Sequence, residues 1–383
     1  MRRYPKVAFA VASFVAVLVA ARCAIAGGMD PTPERLYTEP RGLPPGFGCQ
    51  QIAQNPNLAL APPFDPGATP NQFACLPNNV AWANMMSELG MAIAPTAFHA
   101  ARTTGLGGFA LSLEASFTHI NEDASAGGVQ YWHAGTRGAI DPNTRAFSTS
   151  NTNPDSLLQV YSLKARKGLA YGFEIAGVLG YVANTSLWVG GGDVRWALLE
   201  GFRTGILGYF PDVAIGGGVR TLGGSPKFFL TTVSLDAQVS KPIALADSAV
   251  LTPYLGAQRV LIFADSTVVD LTPSVDPLQQ CGWLGPNLPG NPYAHGPFDG
   301  TPLCQNKLSN GADNNSDFNN ERTFTKARIH RWRGIAGANY RYEVLYLAGQ
   351  FAMDLTEPSA ENANLGVSGG RQWTISLEAG VFF

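Results

Sequence analysis

The chain ends Gln372-Trp373-Thr374-Ile375-Ser376-Leu377-Glu378-Ala379-Gly380-Val381-Phe382-Phe383. Trp373, Ile375, Leu377, Ala379, Val381 and Phe383 are apolar, and they alternate with Gln372, Thr374, Ser376, Glu378 and Gly380. Successive side chains of a β-strand point to opposite faces. This stretch therefore has one apolar face and one small or polar face, and a strand set between lipid and a barrel lumen requires that pattern.

The same period recurs upstream. Phe109, Leu111, Leu113, Ala115 and Phe117 alternate with Ala110, Ser112, Glu114, Ser116 and Thr118. Phe173, Ile175, Gly177, Leu179 and Tyr181 alternate with Glu174, Ala176 and Gly180. Phe229, Val233, Leu235, Ala237 and Val239 alternate with Thr232, Ser234, Asp236, Gln238 and Ser240. In all, ten segments read this way, near 106–118, 156–168, 170–182, 186–199, 212–222, 227–240, 249–263, 326–341, 344–356 and 371–383. A tilted membrane strand needs about 9–11 residues. The fold class is all-β: an antiparallel up-and-down transmembrane barrel of about ten strands. Twelve remain possible if 119–155 hides a hairpin. The longest connections, 119–155 and 264–325, and the last one fall at odd positions, so they share one end of an up-and-down barrel as external loops. Both chain ends then lie at the other, periplasmic end.

Composition agrees. Of 383 residues, 45% are hydrophobic and only 14% charged, with 43 Gly and 27 Pro; a soluble domain has about 25% charged residues. A mean hydropathy near zero excludes a bundle of membrane helices. A net charge of −2 gives no basic footprint for nucleic acid. Residues 1–26 read as a signal peptide: Arg2, Arg3 and Lys6, then the apolar run Val7 to Ala21, then Ala24-Ile25-Ala26. Cys23 follows Arg22, which departs from a lipoprotein signal. Cleavage leaves 22 basic and 28 acidic residues.

Residues 27–105 form a Pro/Gly-rich extension with a short helix over Val80 to Leu89. Trp82, Met85, Met86 and Leu89 keep helical spacing, and Gly90 reads as the stop. The extension would be a plug in the lumen or a periplasmic cap. Four cysteines remain after cleavage, and local pairs Cys49–Cys75 and Cys281–Cys304 are the expected disulfides of an exported chain. Metal binding is the rival reading, but it lacks C-x-x-C spacing and neighbouring histidines. No metal or other cofactor is expected.

The terminal strand closely resembles the last strand of bacterial outer-membrane β-barrel proteins. That resemblance implies that Trp373, Ile375, Leu377, Val381 and Phe383 form the signal read by the barrel assembly machinery in the outer membrane. Leu89-Gly90 through Phe117, and Lys167-Gly168-Leu169-Ala170-Tyr171-Gly172-Phe173-Glu174, resemble outer-membrane proteins of myxobacteria and their relatives. The aromatic pairs Tyr171/Tyr181 and Trp332/Tyr340 suit the two interfacial belts, against outer-membrane lipid.

If the apolar faces meet lipid, the alternate positions line the lumen. The candidates are Glu114, Glu174, Asp193, Arg195, Arg220, Asp236, Arg333, Arg341, Asp354 and Glu378, with Lys164, Arg166, Gln258 and Asn339 on the same faces. Mixed signs fit either a salt-bridged filling or a polar passage. Arg328, His330, Arg331 and Arg333 read together as an outer rim near anionic headgroups. The glycine runs at 190–192 and 216–218 lie inside strand-period segments, so they read as sites of close packing rather than nucleotide loops.

Two functions follow. One is a passive pore or transporter for an unidentified small molecule; the other is a structural, adhesive or ligand-binding surface barrel. An outer-membrane hydrolase is the weaker reading. His119 lies near Asn121, Glu122 and Asp123, but no nucleophile or orienting third group accompanies it. No catalytic residue is assigned, and the chain is not expected to be an enzyme.

Overall fold

A computed structural model describes residues 29–38, 76–97, 100–126, 128–132, 154–201, 209–246, 248–271 and 321–383. Ten long strands form a closed antiparallel barrel: β1 Phe109–His119, β2 Leu157–Gly168, β3 Phe173–Val182, β4 Trp188–Leu199, β5 Asp212–Gly223, β6 Phe228–Ser240, β7 Ala249–Ser266, β8 Ala327–Tyr342, β9 Leu345–Asp354 and β10 Trp373–Phe382. Each strand pairs with its neighbours in sequence. The seam closes where β10 meets β1, with Phe382 opposite Ala110 and Thr374 opposite Thr118. Closure satisfies every edge, which is what lets a sheet stand in a medium with no hydrogen-bonding solvent.

The connections sort by end. Segments 183–187, 224–227 and 355–372, with the described parts of 120–156 and 267–326, lie at one end, here the loop end. Segments 169–172 and 343–344, with the described parts of 200–211 and 241–248, lie at the other, the turn end, together with Phe109 and Phe383. A short ladder, Ser125–Ala126 with Val129–Gln130, stands in the first loop and adds no strand to the barrel. Two further short ladders stand at the loop end: Tyr37–Thr38 with Leu76–Pro77, and Val269–Asp270 with Glu321–Arg322. They enclose the chain stretches that hold the two expected cysteine pairs. The cysteines themselves and the signal peptide lie outside the described residues.

Alternation sets the two faces. On β10, Leu377 is 56% exposed on the outside, while its neighbour Glu378 is 2% exposed on the inside. Leu163, Leu179, Val194, Leu235, Leu255 and Leu347 are likewise exposed, so an apolar band circles the wall. Aromatic residues flank it. Near the turn end Phe173 stacks on Trp196 at 5.4 Å, and Phe109 lies 6.1 Å from Phe383. Near the loop end Phe117 meets Tyr161 edge-on at 6.4 Å, and His119 stacks on Trp373 at 5.5 Å. Tyr171 departs from the expected strand face. It sits in the turn before β3 with φ of 61°, 91% exposed.

Helix α1 spans Asn79–Ile93, and a second, single-turn helix, Pro358–Glu361, lies in the last loop. The Asn78 side chain caps α1 by accepting from Ala81 N at 3.0 Å. The helix continues past Gly90, which was expected to stop it. A Cβ on Gly90 would lie 2.5 Å from Cγ2 of Ile262 on β7, so the glycine is there for close approach to the wall. The helix ends at Ala94 because Pro95 follows, and the residue before a proline is driven out of helical geometry. Among the described residues no helix is long and apolar enough to cross a membrane.

Candidate functional site

The lumen is the candidate site, and its contents come from the chain's own N-terminal side. Helix α1 plugs the loop-end mouth. Trp82 stacks on Phe324 at 5.0 Å and meets Phe228 edge-on at 5.9 Å. With Met85, Met86 and Leu89 it forms a fully buried apolar cluster that seals this level.

Glu88 is level with the first loop, beyond the strand ends. Its carboxylate accepts from Trp132 Nε1 at 2.6 Å, Tyr131 OH at 3.1 Å and Asn121 Nδ2 at 3.1 Å. Burial pushes this carboxyl above the ordinary range, and the donated hydrogen bonds only partly offset it.

Beyond Ala94 the described chain, residues 94–97 and 100–105, runs along the lumen as a strap. Side chains of the wall bind its backbone. Gln258 Nε2 donates to Pro95 O at 3.0 Å, and Arg333 donates to the same oxygen. Gln238 Nε2 donates to Ala97 O at 2.9 Å and Arg195 to Ala100 O at 3.2 Å. Ala101 N donates to Ser240 at 3.0 Å, Thr103 N to Glu200 at 3.0 Å and Thr104 N to Glu174 at 2.7 Å. A segment buried away from water must satisfy these groups, and here the barrel wall does so. Gly218 makes room for the strap, since a Cβ there would lie 3.0 Å from Pro95 Cβ and 2.0 Å from an Asp193 oxygen.

Most of the lumen candidates lie in this network. Lys164 pairs with Glu114 at 2.7 Å, and Thr96 of the strap donates to Glu114 at 2.7 Å. Arg220 binds Asp193 through two contacts, at 2.7 and 2.8 Å. Arg195 faces Asp236 at 3.6 Å. Arg166 lies 3.8 Å from both Glu174 and Glu378, and Tyr346 OH donates to Glu378 at 2.6 Å. Asp354 pairs with Arg331.

Two readings of the sequence need correction. Arg341 does not line the enclosed lumen: it is exposed at the turn-end rim, with its guanidinium 4.6 Å over Phe382. The arginine-rich stretch of β8 is not one outer rim. Arg331 and Arg333 are buried inside, while Arg328 is exposed and His330 half-exposed on the other parity. Arg331 also bonds Ser87 of α1 at 3.1 Å, and Gln372.

Among the described residues, cavities beside Pro95–Thr96 and beside Ala92–Ala94 hold about 20 Å³ each. One water needs roughly 10–15 Å³ by the same measure. A larger hollow of about 510 Å³ opens at the loop end, edged by His119, Asn121, Glu122, Asp123, Tyr131 and Gly369. Among the described residues no group of His, Cys, Asp and Glu is arranged to hold a metal ion.

The chain is thus a ten-stranded up-and-down barrel whose lumen is filled by its own preceding segment. Solved structures similar to it include the attachment invasion locus protein Ail of Yersinia pestis, at 10% identity, TM-score 0.25, covering 73% of this chain and 99% of Ail. Others are Neisserial surface protein A, at 10% identity, TM-score 0.22 and coverage of 72% and 97%, and the outer membrane protein OprG of Pseudomonas aeruginosa, at 12% identity, TM-score 0.25 and coverage of 74% and 99%. Likeness at this level says nothing of function, and the barrel stands on its own closed ladder. No protein-family model and no curated protein matches the chain.

Proposed function

We propose that the chain is an outer-membrane β-barrel protein, closed by its own N-terminal segment and acting through its loop-end surface rather than as an open pore. The membrane setting is supported by the circling apolar band between two aromatic levels. The loop end faces outward, since long loops of such barrels are external and short turns periplasmic. The closed state is supported by one observation above the rest: wall side chains hold the strap by its backbone at Ala97, Ala101 and Thr104. In the membrane the outward face meets lipid, and Trp373, Ile375, Leu377, Val381 and Phe383 serve as the assembly signal.

Gated passage of a small molecule is the second reading. It is favoured by the chemistry of the strap's seat, which is charged and polar and would be rehydrated if the strap withdrew. Planar-bilayer recording separates the two. The refolded mature chain is expected to be silent, and a variant lacking residues 79–105 to conduct. Steady conductance of the full chain would overturn the closed reading.

A further inference from the structure

The contacts of the N-terminal segment step along the barrel in chain order. Met29 N donates to Asn184 O at 2.9 Å, and Ser186 N to Asp30 at 2.7 Å; both partners lie in the loop-end connection between β3 and β4. Glu34 pairs with Lys227 in the loop-end turn between β5 and β6. Tyr37 pairs with Pro77, and Asn78 Nδ2 donates to Ala126 O at 3.0 Å in the first loop. The path then descends. Gly90 lies against Ile262, Pro95 against Gln258, Ala97 against Gln238 and Ala101 against Ser240 at the turn end of β6. Finally Gly107 N meets Gly168 O at 3.3 Å, and β1 starts at Phe109.

The chain therefore crosses the barrel once, from loop end to turn end. A plug alone would not need this direction. A segment inserted from the turn end would fill the lumen equally well and leave its start on that side. Here residues 29–38 and 76–78 sit on the opposite side from Phe109 and Phe383, which corrects the expectation that both chain ends lie at one end. The wall is closed and the described chain joins them to Phe109 through the lumen, so they reached that side through the barrel.

We propose that residues 29–38 and 76–78 pass through the barrel to the external side of the outer membrane, where they pack beneath the loops, joined to them by the Glu34–Lys227 and Asp30–Ser186 contacts. This rests on the reading that the loop end faces outward, and its test separates the two ideas.

The full chain is produced in Gram-negative cells with one epitope inserted after Thr38, after Asp123 in the first loop, or after Gly201 in a turn-end connection. Intact cells are stained with an antibody that cannot enter them, and heat-modifiable migration on gels reports which variants are folded. Staining at the Thr38 and Asp123 sites, with Gly201 stained only after permeabilisation, is the expected result. Staining at Asp123 without Thr38 would overturn the passage and leave the membrane orientation standing. Staining at Gly201 and not Asp123 in intact cells would overturn the orientation and the passage together.

Discussion

The most consequential single contacts join a buried wall charge to both a counter-charge and the strap. Lys164 is fully buried, pairs with Glu114 and donates to Thr96 at 3.3 Å. Removing one member of a buried pair leaves an uncompensated charge and typically costs about 3–5 kcal/mol. Lys164→Met is expected to lose stability on that scale in urea unfolding of the micelle-held barrel, and Lys164→Met with Glu114→Gln to lose distinctly less. Equal losses would show that the pair is not coupled. At Gly90 two effects oppose each other. Alanine favours helix over glycine by about 1 kcal/mol, but its Cβ would collide with Ile262, and overpacking costs about 1–3 kcal/mol. Gly90→Ala should therefore destabilise the wild-type background in the same unfolding assay, and should cost distinctly less in an Ile262→Ala background, which is itself less stable. Glu88 sets a pH slope. Its folded carboxyl is raised above the ordinary 4.5 by burial, so the folded state holds the proton more tightly than the unfolded chain. That contribution is fully present below about pH 4.5 and is lost as pH rises through the raised value. Glu88→Gln is expected to flatten this fall in melting temperature; an unchanged slope would place its origin elsewhere.

Elements differ in how much of them the sequence reveals. The strands were legible because each needs a strict two-residue alternation, and lipid outside with small or polar groups inside enforces it from end to end. The ends of α1 were not legible. A glycine that allows close packing has the same letter as one that stops a helix, and only Ile262 across the gap tells them apart. The strap was invisible for a different reason. A segment held through its backbone leaves no periodicity in its side chains, so the sequence from Pro95 to Gly105 reads as an ordinary loop. Arg331 was misassigned because four basic residues within six positions look like one surface, whereas strand parity sends two in and two out. The strap's order is measurable. The amides of Ala101, Thr103 and Thr104 donate to Ser240, Glu200 and Glu174. Deuterium exchange should find them protected like the strand amides beside them; exchange at the rate of a free loop would mean that the strap is not seated.

At the scale of the molecule, one chain supplies both the wall and its filling. The strand count followed from sequence spacing alone, and the barrel has those ten strands; the sorting of connections followed only for the three longest, since 183–187 and 224–227 are short at the loop end and 200–211 is long at the turn end. The direction in which the N-terminal segment passes did not follow, because it depends on contacts between residues far apart in sequence, such as Asp30 with Ser186. The seating of that segment is the central claim. Ala97 of the strap shares a buried cluster with Tyr254 on β7, Ile335 on β8 and Ala352 on β9. The most direct measurement is a cysteine pair, Ala97→Cys with Ala352→Cys, joined by a short thiol crosslinker in the membrane-embedded protein and located by peptide mass spectrometry. The account predicts a link between residues 97 and 352 that neither single variant gives. Two thiols that label separately and never link would contradict a strap held inside the barrel.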